Sequence, residues 1–345
     1  MAVTIKDVAK LAGVSPSTVS RTCKNHPSIS QETKDRVKKA MEELGYEQNN
    51  LQQNISMRKI GVVFPKSKTD VYENPFYLEA IKGIGKYCNK KQYTLLVITG
   101  ETDEELIRSI KASEADGFIF LYSNIDDSII NYMYEQKLLF VLIGKATKMI
   151  NDTIYVDNDN VQAAKEACEY LISLGHNKIA YIGTDNYKVF SSDRKAGYLL
   201  ALSEHNIEYN PNYCLEFALN SEEKYNKLKD LLISENRPTA LLIYDDIVAV
   251  SIGNLISACN LKVPEDLSII SFNNSIFARM MNPQLTSIDI NAYQLGVEAA
   301  SQLSKHIENP NLFATKIIVP YFLVKRESCR RSEERRVGKE CRSRW

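Results

Sequence analysis

Residues 4 to 21 read TIKDVAKLAGVSPSTVSR, and their spacing predicts two short helices joined by a tight turn. Thr4-Ile5-Lys6-Asp7 forms a capping box, in which the Thr hydroxyl and the Asp carboxylate satisfy free N–H groups at a helix start. Ile5, Val8, Ala9 and Ala12 recur at three- and four-residue spacing and make one apolar stripe, which stops at Gly13, a residue that permits a left-handed turn. Ser15 is a good N-cap and Pro16 fits the first helical position, where its missing N–H costs nothing, so a second helix runs from Pro16 to about Lys24. Val14 and Val19 then pack back on the first helix. Such a pair is a helix-turn-helix, whose second helix offers its N-terminal residues to base edges in a major groove. That geometry nominates Pro16, Ser17 and Arg21 as base readers, with Thr18 and Ser20 nearer the phosphates. Arg21 is the sharpest candidate, because its planar fork can donate twice to guanine. Thr4, Ser15 and Asn25 complete the candidate nucleic-acid set.

Further along, a third helix is predicted from Ser30 to Gly45, with Val37, Ala40, Met41 and Leu44 on its inner face. Charge supports a separate head. The chain has 345 residues with 43 Lys+Arg against 43 Asp+Glu, yet residues 1 to 59 carry ten basic against six acidic, and residues 60 to 329 carry 26 against 34. A basic head on an acidic body suits a small module that meets phosphates while the larger part does not.

Other classes are disfavoured on composition and motif. The seven cysteines are dispersed and never fall as C-x-x-C, which reads as reduced core thiols, and the four histidines show no metal spacing. The longest apolar run, Leu138 to Ile143, is far short of the ~20 residues that span a bilayer. No basic-led apolar stretch opens the chain, so a cytoplasmic location without membrane contact is expected. A solute-binding protein would begin with an export signal and lack the helix-turn-helix. An enzyme would need a nucleophile–base set or a phosphate loop, and neither G-x-G-x-x-G nor G-x-x-x-x-G-K-[ST] stands after a strand.

From Lys59 onward short apolar runs alternate with amphipathic ones: strands Ile60–Phe64, Thr94–Ile98, Gly117–Leu121 and Phe140–Ile143 with helices Phe76–Lys90 and Glu104–Ala112. The pattern restarts with helix Val161–Leu174, strand Ile179–Ile182, helices Arg194–Asn206 and Lys224–Ser234, and strands Ala240–Tyr244 and Leu267–Phe272. Alternation implies parallel βαβ units in two similar lobes. Ligands of parallel sheets bind beyond the carboxyl ends of the strands, where the chain turns polar: Asn74-Pro75-Phe76, Thr99-Gly100-Glu101, Gly144-Lys145, Asp157-Asn158, Asp245-Asp246 and Asn273-Asn274. Carboxylates and amides with an aromatic face suit the paired hydroxyls of a polyol. Each such residue is equally at home as a turn former or helix cap, so only convergence makes the set a site.

The stretch Thr4 to Arg21, the capped third helix ending LGY, and the segments NPFYLEAIKGI, ADGFIFLYS, VDNDNVQAA, YLISLGHNKIAYIG, SSDRKAGYLLAL, VPEDLSIISF, NPQLTSIDI and LVKRES resemble the LacI/GalR repressor family. The resemblance covers about residues 1 to 328. It implies an all-α helix-turn-helix head (1–46), a hinge (47–59) and a two-lobed α/β core with two parallel sheets, periplasmic-binding-protein-like. The lobes would take residues 60–157 with 290–319, and 158–289 with 320–328, the chain crossing near Asp157, Ile290 and Pro320. In such repressors the hinge folds on operator DNA and presses a leucine into the minor groove; Ile55 stands there, and Gln48, Gln52, Gln53 and Asn54 depart from the family's hinge residues. By the same likeness Arg194 matches the arginine that grips the effector, Asp245 and Asn273 match two polar pocket residues, and Phe76 lies on the cleft wall. Lys145 joins them as a strand-exit candidate. Gly144 and Asn273 replace aspartates of many relatives. LIGKA and VDNDN are most similar to the maltose-operon repressors of Gram-positive bacteria, which implies maltose or a maltodextrin as effector. The implied partners are palindromic operator DNA, that sugar, and a second copy in a homodimer; a phosphoprotein corepressor, as in catabolite-control relatives, is the alternative. No cofactor is implied. Residues 329–345, ending RRSEERRVGKECRSRW, break every preceding pattern and read as a tail foreign to the fold.

Overall fold

The computed structural model describes residues 3–23, 29–46, 57–66, 73–216 and 221–332. Asn25, Ile55, hinge residues 47–56 and tail residues 333–345 lie outside the described residues. The chain divides into two units, Met1–Arg58 and Lys59–Trp345.

In the first unit, α1 (Ile5–Ala12), α2 (Pro16–Cys23) and α3 (Gln31–Glu43) enclose Val8, Ala9, Ala12, Val19, Val37 and Ala40. Gly13 takes φ 65°, and the turn is short enough for Ser15 to cap α2 at once, accepting from Thr18 N–H at 3.1 Å. Ser30 caps α3 in the same way through Thr33 N–H at 3.3 Å. The capping box expected at Thr4 is present: Asp7 accepts the Thr4 N–H at 2.9 Å, and the Thr4 hydroxyl also lies 2.6 Å from the same carboxylate.

The second unit holds two doubly covered sheets, the two-lobed α/β architecture expected. The first sheet contains β1 (Lys59–Val63), β2 (Thr94–Ile98), β3 (Gly117–Phe120), β4 (Phe140–Ile143), β5 (Ile154–Asp157) and β11 (Lys316–Ile318), ordered β11-β5-β4-β3-β1-β2. All its pairs are parallel. The second contains β6 (Ile179–Gly183), β7 (Cys214–Glu216), β8 (Ala240–Ile243), β9 (Ser268–Phe272), β10 (Thr286–Asp289) and β12 (Phe322–Val324), ordered β12-β10-β9-β8-β6-β7. Only β12 runs antiparallel, against β10. Strands buried on both faces must be apolar throughout, which is why they read as continuous runs. In β3 and β4, Ile119 and Val141 face the core beneath α4 (Pro75–Lys91) and α12 (Ala292–Glu308), while Phe118, Phe120, Phe140 and Leu142 face that of α5 (Asp103–Ser113) and α6 (Ser128–Glu135). In the second sheet, Tyr181 and Leu242 face α7 (Asn160–Ser173) and α8 (Val189–Glu204), and Ile182 and Leu241 face α9 (Glu222–Ile233) and α10 (Asp246–Ala258). A β-carbon on Gly83 or Gly296 would lie 2.0 Å from a carbonyl oxygen of the facing helix, so α4 and α12 pack backbone to backbone.

The chain crosses between the sheets after β5, after β10 and after β11. Asn158 ties these crossings together: its buried amide donates to Ile290 O at 3.0 Å and Val319 O at 2.8 Å, while Val319 N–H donates to Asp157 O at 2.8 Å.

Three expectations need correction. Helix α8 begins at Val189 rather than Arg194, because Lys188 O already accepts helical N–H groups from Ser191 and Ser192. Helix α10 went unpredicted: DIVAVSIGNLISA is apolar on nearly every side and shows no polar stripe. The fold also continues past 328. Arg330 N–H donates to Ser268 Oγ, its carbonyl meets His176 Nε2 at 3.1 Å, and Ser332 N–H reaches Leu174 O, so a boundary at 328 falls inside the hydrogen-bonded core. The six described cysteines are free, and burial pushes Cys88 to about 11 and Cys168 to about 12.

Candidate functional site

Helix α2 turns Val19 and Thr22 inward and leaves Pro16, Ser17 and Arg21 exposed, with Thr18 and Ser20 half-buried beside them. The Ser15 hydroxyl lies 2.7 Å from Ser17 Oγ and 2.9 Å from Thr18 Oγ1, so these three hydroxyls share one set of bonds at the helix start. Helix N-termini favour phosphate oxygens, and the exposed Arg21 stands one and a half turns into α2, free of any described ion pair. Hydrogen bonds from Thr4 hold the exposed Asp7 carboxyl below its ordinary value.

In the second unit a cavity of about 620 Å³ opens at the carboxyl ends of both sheets. It collects four of the five ligand candidates: Phe76, Arg194, Asp245 and Asn273 line it. Lys145 does not. Its carbonyl accepts from Ser123 Oγ at 2.5 Å, and its ammonium reaches Asp193 at 3.5 Å on the exposed rim, since the turn after β4 directs the side chain along the outside.

Arg194 is 4% exposed. Its Nε donates to Asn160 Oδ1 at 2.9 Å and its Nη1 to Tyr244 O at 2.7 Å, and the guanidinium lies 4.0 Å from the Phe272 ring centroid and 4.9 Å from that of Phe190. No described ion pair includes it, and no described hydrogen bond uses its Nη2. Burial pulls it down to about 10, so it stays charged near neutrality. A desolvated cation held by neutral acceptors, with one edge of its fork free, is prepared for a further acceptor.

Asp245 is both a helix cap and a lining residue of the cavity. It caps α10, taking Ile247 N–H at 2.9 Å, and its other oxygen accepts from Asn273 at 2.9 Å and from Asn74, across the cleft, at 3.1 Å. Asn74 caps α4 with its own oxygen, accepting from Phe76 N–H at 2.9 Å. Asn273 is held by its neighbours rather than by a cap: it takes φ 99°, next to Asn274 at 49°. Below it Asp246, fully buried, accepts from Ser271 and Ser287 hydroxyls and Ser275 N–H. Burial raises Asp245 to about 6 and Asp157, bridged to Arg194 through Asn160, to about 7.

That shift has a sign. A buried carboxyl raised above its unfolded value contributes stability that is complete below about 4 and is lost as pH climbs through about 7. Between pH 5 and pH 8 Asp157 alone should therefore cost roughly 2–3 kcal/mol. Asp157→Asn is expected to flatten the decline and to raise the melting temperature at pH 8 by roughly 5 °C over wild type, with little gain at pH 5. Melting curves at the two pH values check it; equal shifts at both would remove titration as the cause.

Several lining residues escaped sequence reasoning. Tyr122, Ser123 and Asn124 follow β3 directly and obey the same strand-exit rule that found the others. The Tyr122 hydroxyl is buried without a hydrogen-bond partner. Phe190 precedes Arg194 by four residues on one helix face, a pairing legible once α8 starts at Val189. Tyr187, Lys188 and Tyr244 carried no signal before the lobes were brought together. No cluster of metal-ligating side chains occurs among the described residues, and no described helix is long and apolar enough to cross a membrane.

Comparison with known proteins matches residues 4–49 to the model of bacterial regulatory proteins of the lacI family, and residues 168–329 to a periplasmic binding protein-like domain. The HTH-type transcriptional regulator MalR of Streptococcus pneumoniae is 35% identical over 309 residues, covering 86% of this chain and 90% of that protein. Among solved structures, a putative LacI transcriptional regulator from Bacillus cereus subsp. cytotoxis is 38% identical with a TM-score of 0.76, covering 80% of this chain and all of that one. A complex of the transcriptional regulator CelR with cellobiose is 25% identical with a TM-score of 0.73, over 94% and 99% of the two chains.

Proposed function

The chain belongs to the LacI family of bacterial DNA-binding transcriptional regulators, and from that premise we propose that it is a repressor whose operator affinity is set by a small sugar, maltose or a short maltodextrin first. Arg194 carries the proposal: a buried cation with an unused donor edge lines a cavity whose remaining surface is amide, hydroxyl, carboxylate and aromatic. Even with Asp157 set aside for its raised value, four carboxylates line it against three cations (Glu73, Asp126, Asp127 and Asp245 against Lys66, Lys188 and Arg194), which favours an uncharged polyol over an anion. Rings such as Phe76, Phe190 and Tyr244 offer faces for the apolar C–H side of a pyranose. The likeness of LIGKA and VDNDN to maltose-operon repressors, with the similarity to MalR and to a structure described as a probable maltose operon transcriptional repressor, makes the α-linked glucose sugars the first to try.

One recognition helix per head fits a dimer of two such chains on a palindromic operator. In this reading sugar and operator affinities are linked reciprocally, so each ligand changes the affinity for the other by the same factor. Fluorescence anisotropy on palindromic candidates upstream of the chain's own and neighbouring genes, with and without maltose and maltotriose, tests this. A sugar-dependent change in operator affinity supports it; sugar-indifferent tight binding would discard the maltodextrin effector and turn the search to other sugars or a phosphoprotein corepressor.

A further inference from the structure

The cavity is walled by chain on two sides. One wall is made by the crossings between lobes, where Asp157, Asn158 and Ile290 line the cavity and the Asn158 amide holds the three segments together. The other lies away from those crossings, at the exits of β3 and β6. There Ser123–Ile125 of the first lobe meets Tyr187–Val189 of the second as an antiparallel bridge: Ile125 N–H donates to Tyr187 O at 2.7 Å, Val189 N–H donates to Ser123 O at 3.2 Å, and Asn124 stands opposite Lys188. Ser123, Asn124, Ile125, Tyr187 and Lys188 all line the cavity, so this bridge is a wall and not a remote contact. The Asn74–Asp245 bond joins the lobes beside it.

We propose that the Ser123–Ile125/Tyr187–Val189 bridge is a length gate, which closes over a sugar of two or three rings and excludes longer chains. The proposal rests on the sugar reading above. A glucose unit within a chain displaces on the order of 160 Å³ at interior packing density, so two or three units with residual water match about 620 Å³, one leaves most of it empty, and five or six exceed it. A chain emerging through the bridged wall must separate the paired backbone segments and break both hydrogen bonds. Net loss of two main-chain hydrogen bonds, at about 0.5–1.5 kcal/mol each, corresponds to about a tenfold weaker complex. The side chains at the bridge contribute little to this, since the bonds are main chain to main chain; Ile125 itself is 43% exposed.

The test is isothermal titration of the full chain with glucose and with α-1,4 and β-1,4 glucose oligomers of two to six units. Amide hydrogen exchange of Ile125 and Val189 is followed in parallel. The expected result is tightest binding at two or three units in one series, at least tenfold weaker binding at five and six, and slower exchange of both amides only with the short sugar. Ile125→Pro deletes one donor and is expected to bring the six-unit chain within about threefold of the three-unit one; should that variant fold poorly, exchange in the wild-type chain decides alone. Affinity indifferent to chain length, a monosaccharide preferred to every oligomer, or bridge amides unchanged at saturation would each overturn the gate and leave the sugar effector standing. No binding by any of these sugars would remove the glucose-based effector, and the gate with it.

Discussion

Arg194→Met is expected to abolish the sugar response while leaving operator binding and folding intact. The loss follows from the free edge of the guanidinium: charge-assisted hydrogen bonds to a ligand contribute about 1.5–3 kcal/mol each, so removing two weakens the sugar by at least about 100-fold. Folding is spared for a different reason. The side chain is desolvated, lacks a carboxylate within ion-pair distance among the described residues, and lies against Phe190 and Phe272. Removing the cation lifts its desolvation cost, which offsets the loss of its bonds to Asn160 and the Tyr244 carbonyl, about 1–3 kcal/mol each, and a thioether packs well on aromatic rings. Titration with the effector, a melting curve and operator anisotropy without sugar check the three effects separately. A normal sugar response in the variant would remove Arg194 from the pocket. A collapse of the melting temperature would instead make Arg194 a structural tie for Asn160 and the Tyr244 carbonyl.

Arg21→Ala is expected to cost sequence discrimination without abolishing DNA binding. A bidentate arginine–guanine contact typically contributes ~1–3 kcal/mol, so the preference for operator over scrambled duplex should fall by about 5- to 150-fold. Binding that remains should keep its steep dependence on salt, because the substitution leaves the proposed phosphate-facing start of α2 unchanged. Arg21 is exposed and α2 is packed through Val19, so the head should fold as before. Competition titrations at two salt concentrations measure both quantities; an unchanged operator preference would discard Arg21 as the reader.

The head was readable from residues 4 to 45 because every signal in it is local. Caps at Thr4, Ser15 and Ser30, the turn at Gly13 and the three- and four-residue stripes act within one or two helical turns. The strands of the core were legible for a related reason: burial on both faces demands continuous apolar runs. Helices were less so when burial erased their stripe, as in α10, or when the start lacked a side-chain cap, as at Lys188 before α8.

The cleft divides along the same line. Strand exits pointed to Asp245 and Asn273, and family resemblance pointed to Arg194, but Lys145 obeyed the same exit rule and sits outside. Nothing in its neighbours distinguishes it, since which way an exit turns depends on the lobe opposite. Composition and local pattern established a basic helix-turn-helix joined to an α/β body without catalytic or nucleotide-binding motifs, because capping, periodicity and charge are properties of short stretches. Convergence came from the fold: Asn74 reaches Asp245 across 171 positions, Asn158 gathers Ile290 and Val319, and Ser123–Ile125 meets Tyr187–Val189. Those bonds depend on how two sheets are packed and crossed, and chain neighbours carry no record of that.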